Sequence, residues 1–135
     1  MTVDLGTVWA AAGVLAGLQI TAFTLRITRE VTVGGRGDKT WLPLADVLNL
    51  LSLLITMLGV FVAPIVAVGG STFPVKAFGA SVILLAGYPF ALAGHYDMYN
   101  IRTSRSMVYC PPQERAVLVI VIAVLGAYLG LAITR

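Results

Sequence analysis

Apolar residues run along this chain in four blocks of about twenty, the length a helix needs to cross the hydrocarbon of a bilayer. Nearly all the charge falls between the blocks. The pattern predicts four transmembrane helices, at approximately 5–27, 43–68, 75–98 and 113–134. The connections are too short to fold on their own, so residues 1–135 are expected to form a single transmembrane domain. The fold class is all-α, a polytopic integral membrane four-helix bundle.

Polar positions inside the blocks are few and patterned. Asp46, Asn49, Ser52 and Thr56 step by three, three and four residues, which sets them on one face of the second helix. The first block contributes Gln19 and a stripe of Thr21, Thr24 and Thr28, and the third ends in His95-Tyr96-Asp97. Because successive spans reverse direction, these groups are expected to gather at one membrane face. Two readings of the cluster stay open. In one, the groups bond helix to helix, with Asp46 or Asp97 paired to Arg26, Arg29 or Arg115. In the other, Asp46, Asn49, His95 and Asp97 line a vestibule that contacts a ligand or ion, since ionisable groups at bilayer depth are costly unless they are used.

Small residues recur at helix-packing intervals: Gly13 with Gly17, Gly87 with Gly94, and Gly126 with Gly130. Such faces let helix backbones approach closely in lipid, where no hydrophobic force drives helices together. They serve the bundle itself or a homo-oligomer, and an oligomer, or association with other membrane subunits, is expected. Pro64 and Pro89 each remove a backbone hydrogen bond within a span, which predicts a kink or, at Pro89, a broken helix beside a translocation path. Between spans, Gly69–Pro74 reads as a tight hairpin that makes the second and third spans antiparallel neighbours. Val31–Val33 and Met107–Tyr109 read as short extended runs that could pair as a two-stranded ribbon.

Composition removes several classes of function. With 59% apolar and 11% charged residues, the chain lies far from the soluble balance of about 25% charged. The net charge of +3 is spread over two connections and mixed with acids, unlike the basic patch of a nucleic-acid binder. Lipid headgroups are the expected partner, and nucleic acid is not. Lys and Arg also orient the chain. Arg26, Arg29, Arg36, Lys39, Arg102, Arg105 and Arg115 lie toward one side, against Lys76 and Arg135 on the other. The excess of positive charge marks the cytoplasmic side and places both termini on the outer side. Met1–Asp4 carries no basic residue, so the first block is expected to be a retained span and not a cleaved signal.

One cysteine, Cys110, excludes an internal disulfide. A single histidine with scattered carboxylates is a poor ligand set for a transition metal, so no metal and no cofactor is expected. The function these residues predict is that of a small oligomeric integral membrane protein without catalytic activity: a channel, a transporter or an accessory subunit of a membrane complex, in a bacterial-type inner cell membrane. The alternative is a membrane-embedded enzyme acting on a lipophilic substrate at the cytoplasmic interface, with His95 as acid or base and Asp97 or Asp46 orienting it.

Overall fold

The computed structural model describes residues 4–37, 42–66, 72–99 and 109–134. Four helices hold most of them: α1 Leu5–Gly34, α2 Leu44–Ile65, α3 Phe73–His95 and α4 Pro112–Thr134. Each is long and apolar enough to cross a membrane, and no strand occurs among the described residues. Local chemistry sets the starts. Asp4 caps α1 by accepting from the Thr7 backbone N–H at 3.0 Å, while prolines at Pro43, Pro74 and Pro112 occupy opening positions where a missing N–H is tolerated.

α3 is the central element. Its Leu84, Tyr88 and Ala91 pack on Ala45 and Leu48 of α2 and on Val121 of α4. Nearer the other end, Ala77 meets Val60 of α2 together with Val8 and Ala12 of α1. These contacts need small residues. A Cβ on Gly59 would lie 2.6 Å from that of Ala77, and one on Gly94 would lie 2.8 Å from the Glu114 backbone nitrogen. Gly87 admits Val121 and Gly79 admits the Tyr128 hydroxyl in the same way. Gly13, Gly17, Gly126 and Gly130 face open space.

Large apolar side chains cover the outside, including Val14, Leu18 and Leu25 of α1 and Val119, Ile122 and Ile133 of α4. In water so much exposed apolar surface would drive association. Hydrocarbon solvates it without penalty.

The seven residues Thr56–Val62 of α2 form a π-helical segment. Pro64 explains the demand for it. Proline has no N–H to offer the Val60 carbonyl one turn earlier, and the Trp9 indole N–H of α1 donates to that oxygen instead, at 2.9 Å. Trp9→Phe keeps an aromatic ring and removes the donor. It is expected to cost about 1–3 kcal/mol, the penalty for a buried acceptor left unmatched, and unfolding of the variant in detergent would show the loss. By contrast, α3 runs unbroken through Pro89, so the broken-helix alternative there is absent.

Two further expectations change. Val31–Val33 is the last turn of α1 and not a strand, because extending an established helix adds a hydrogen bond for each residue fixed while nucleating an isolated ribbon does not. The other half of that ribbon, Met107–Val108, lies outside the described residues, as do residues 69–71 of the Gly69–Pro74 hairpin, whose Phe73 and Pro74 already belong to α3. The third helix begins and ends earlier than its hydropathy suggests, at Phe73 and His95. Asp97 stops it: at φ 57° it takes the left-handed conformation of a helix C′ residue. The Met98 N–H reaches back to the Ala93 carbonyl at 3.0 Å and the Asp97 N–H to Gly94 at 3.1 Å.

Candidate functional site

Each helix brings ionisable groups to the same end of the bundle: Arg26 and Glu30 from α1, Asp46 from α2, His95 from α3 and Glu114 from α4. They meet in two linked clusters. In the first, Arg26 Nε donates to Asp46 Oδ2 at 3.2 Å, and its Nη1 donates to Glu30 at 2.8 Å and to the Tyr96 hydroxyl at 2.6 Å. Arg29 also donates to the Tyr96 oxygen, its guanidinium 4.6 Å above the ring. One arginine thus serves two carboxylates, and with Arg29 the cluster holds two basic and two acidic side chains.

The second cluster is centred on Glu114, which is 0% exposed. Its Oε2 lies 2.8 Å from His95 Nδ1, and its Oε1 accepts from the Ala45 backbone N–H at 2.8 Å. The placement follows from helix electrostatics. Glu114 sits in the first turn of its own helix and also at the start of α2, two positive dipole ends, while His95 closes α3 at a negative one. Gly94 makes the pairing possible, because only a residue without a side chain lets the end of α3 rest on the start of α4. The clusters join through chain neighbours: Ala45 precedes Asp46, and Tyr96 follows His95.

A polar seam runs from this layer toward the middle of the bundle. Asn49 Nδ2 donates to the Gln19 carbonyl at 3.2 Å, Gln19 Nε2 to Ser52 Oγ at 2.6 Å, and Ser52 Oγ to the Ser81 carbonyl at 2.7 Å. The Thr56 hydroxyl turns back to the Ser52 carbonyl at 2.9 Å. Among the described residues, three buried oxygens, Gln19 Oε1, Asp46 Oδ1 and Asn49 Oδ1, have no hydrogen-bond partner. Beside the seam, a cavity of about 320 Å³ between α1 and α2 is lined by Phe23, Arg26, Ile27, Glu30, Leu42 and Asp46.

Of the four residues expected to form a vestibule, Asp46 and Asn49 share the seam, and only Asp46 reaches this cavity. His95 belongs to the Glu114 cluster. Asp97 lies past the end of α3 and accepts a hydrogen bond from Gln113 Nε2. The threonine stripe of α1 joins neither: Thr21, Thr24 and Thr28 face outward and donate to their own helix at Gly17, Ile20 and Thr24. Glu114 was not singled out by the sequence. Its one signal is an acidic residue in the apolar block's first turn, which ordinarily means a solvated helix start.

The opposite end of the bundle is held by a smaller clamp. Lys76 Nζ donates to the Ala132 carbonyl at 2.6 Å, near the negative end of α4, and the Tyr128 hydroxyl donates to the Lys76 carbonyl at 2.9 Å. Comparison of the chain with family models, with characterised proteins and with solved structures finds no match in any of the three.

Proposed function

We propose that this chain is a non-catalytic integral membrane protein that handles a small ion, as a channel or transporter, working as an oligomer or with other membrane subunits in a bacterial-type inner membrane. Both termini lie on the outer side in this reading, and the charged layer faces the cytoplasm. One observation carries it: all four helices deliver ionisable groups to one buried layer, and from that layer a seam with unmatched oxygens extends inward along α1 and α2. Ionisable groups inside membrane spans are rare and costly, and by default they point to a functional site. The outward-facing Gly13, Gly17, Gly126 and Gly130 leave room for another helix to approach α1 and α4. An accessory subunit is the fallback within the same reading.

The catalytic alternative has less support. His95 is 4% exposed and paired with Glu114, a position from which an imidazole reaches a substrate only if the bundle opens. Liposomes containing the purified protein alone provide the test. Tracer efflux of sodium, potassium or protons at least tenfold above protein-free vesicles is expected, from a particle larger than a monomer in mild detergent. Efflux at the protein-free level rejects the channel and transporter roles.

A further inference from the structure

We infer that the groove between α2 and α4, at the end of the bundle opposite the charged layer, binds one anionic phospholipid, with an acyl chain along the groove and the phosphate on Lys76. The inference goes beyond the ion-handling reading and does not depend on it. It requires a membrane, but neither a channel nor a transporter.

Shape is the first observation. α2 and α4 both pack on α3, and at this end they leave between them a cavity of about 530 Å³, within the roughly 300–1,000 Å³ of small-molecule sites. Its buried lining is made of small residues, Gly59 of α2 with Ala77 and Ala80 of α3. Leu54 and Leu58 of α2 flank it on one side and Leu129 and Ile133 of α4 on the other, all four exposed. Small residues inside and long apolar ones along the rims make a groove that opens to hydrocarbon. Lys76 is its one polar lining residue.

Charge is the second. A lysine near the end of a span ordinarily extends its ammonium toward water, whereas Lys76 crosses to α4, where Nζ donates to the Ala132 carbonyl at 2.6 Å. That bond uses one of three protons. Among the described residues no carboxylate pairs with the ammonium. The helix ends do not neutralise it either, because the roughly half negative charge where α4 finishes is offset by the roughly half positive charge where α3 begins, and Lys76 lies in that first turn. An anionic phospholipid matches both features, with a chain for the groove and phosphate oxygens for the remaining protons. Basic pockets between membrane helices hold such headgroups. A helix from a second copy would fill the apolar part and cover the ammonium without a counter-ion, leaving a buried unpaired charge. A zwitterionic lipid would bring an ammonium of its own toward Lys76.

Native mass spectrometry of the full chain in mild detergent, titrated with phosphatidylglycerol and with phosphatidylcholine of the same acyl chains, tests the site. One phosphatidylglycerol per chain is expected to bind saturably, about tenfold or more tighter than phosphatidylcholine, the effect of one charge-assisted hydrogen bond. Lys76→Gln removes the charge, keeps an N–H donor and should lose most of that preference. Leu129→Trp narrows the groove from its exposed rim, leaves Lys76 in place and should weaken phosphatidylglycerol binding severalfold. A benzophenone side chain introduced at Leu129 locates the occupant: in nanodiscs of both lipids, photolysis should give phosphatidylglycerol adducts above that lipid's share of the bilayer. Equal binding of the two lipids overturns the inference, as does a wild-type preference in Lys76→Gln or undiminished binding in Leu129→Trp. Covalent dimers in place of lipid adducts would assign the groove to a second copy, and displacement of the lipid by glycerol phosphate would assign Lys76 to a free phosphate; either result overturns it. Selective lipid binding without ion flux would reject the transport reading and leave this site standing.

Discussion

Glu114→Ala is expected to be among the most damaging single changes in the protein, costing about 1–3 kcal/mol for the buried Ala45 N–H left without an acceptor, with the cost of the emptied volume added. The side chain is fully enclosed and serves two elements at once. Its removal strips the Ala45 N–H of its acceptor at the start of α2 and leaves His95 beside an empty volume. The two contacts tie α4 to α2 and to α3, so their loss loosens the end of the bundle where the polar groups meet. Glu114→Gln keeps an oxygen for Ala45 and a polar group for His95, and its cost should be well under half that of the alanine variant. Equilibrium unfolding in mixed detergent measures both. Wild-type stability in Glu114→Ala would mean that the layer does not hold the helices together.

The second large effect is expected at Arg26. Arg26→Met leaves Asp46 and Glu30 without their shared cation and removes a donor to Tyr96. A cost of about 3–5 kcal/mol follows, because the carboxylate of Asp46 then stays buried and unpaired. The double variant Arg26→Met, Asp46→Leu removes the stranded charge as well, and should be more stable than Arg26→Met alone. That non-additivity is the signature of a direct pair, with a coupling of about 0.5–3 kcal/mol in a double-mutant cycle. If the two losses simply add, the ion pair has no energetic weight.

The hydropathy pattern made the helices legible, because lipid imposes a length and an apolar surface that no neighbouring segment can supply. The polar face of α2 was legible for a related reason. Asp46, Asn49, Ser52 and Thr56 follow helical spacing, and their partner Arg26 was among the arginines considered. What the sequence hid depends on distant arrivals. Glu114 resembles an ordinary first-turn acid until α2 and α3 close over it, and His95 drew attention toward Asp97, which is committed to ending α3. Local propensity misled at Val31–Val33, where β-branched residues simply prolong an existing helix. At Pro64 the sequence announced a missing hydrogen bond without revealing that Trp9, on another helix, would replace it. Pro89 carries the same warning and leaves α3 continuous.

Side-specific labelling tests the central claim most directly, namely that these helices cross a bilayer with the charged layer at the cytoplasmic end. In a Cys110→Ser background, single cysteines at Arg36, in the turn after α1, and at Thr72, just before α3, mark the two ends of the bundle. A membrane-impermeant maleimide added to intact cells should label Thr72→Cys and reach Arg36→Cys only after the membrane is opened. Labelling of both positions from the same side would contradict the account.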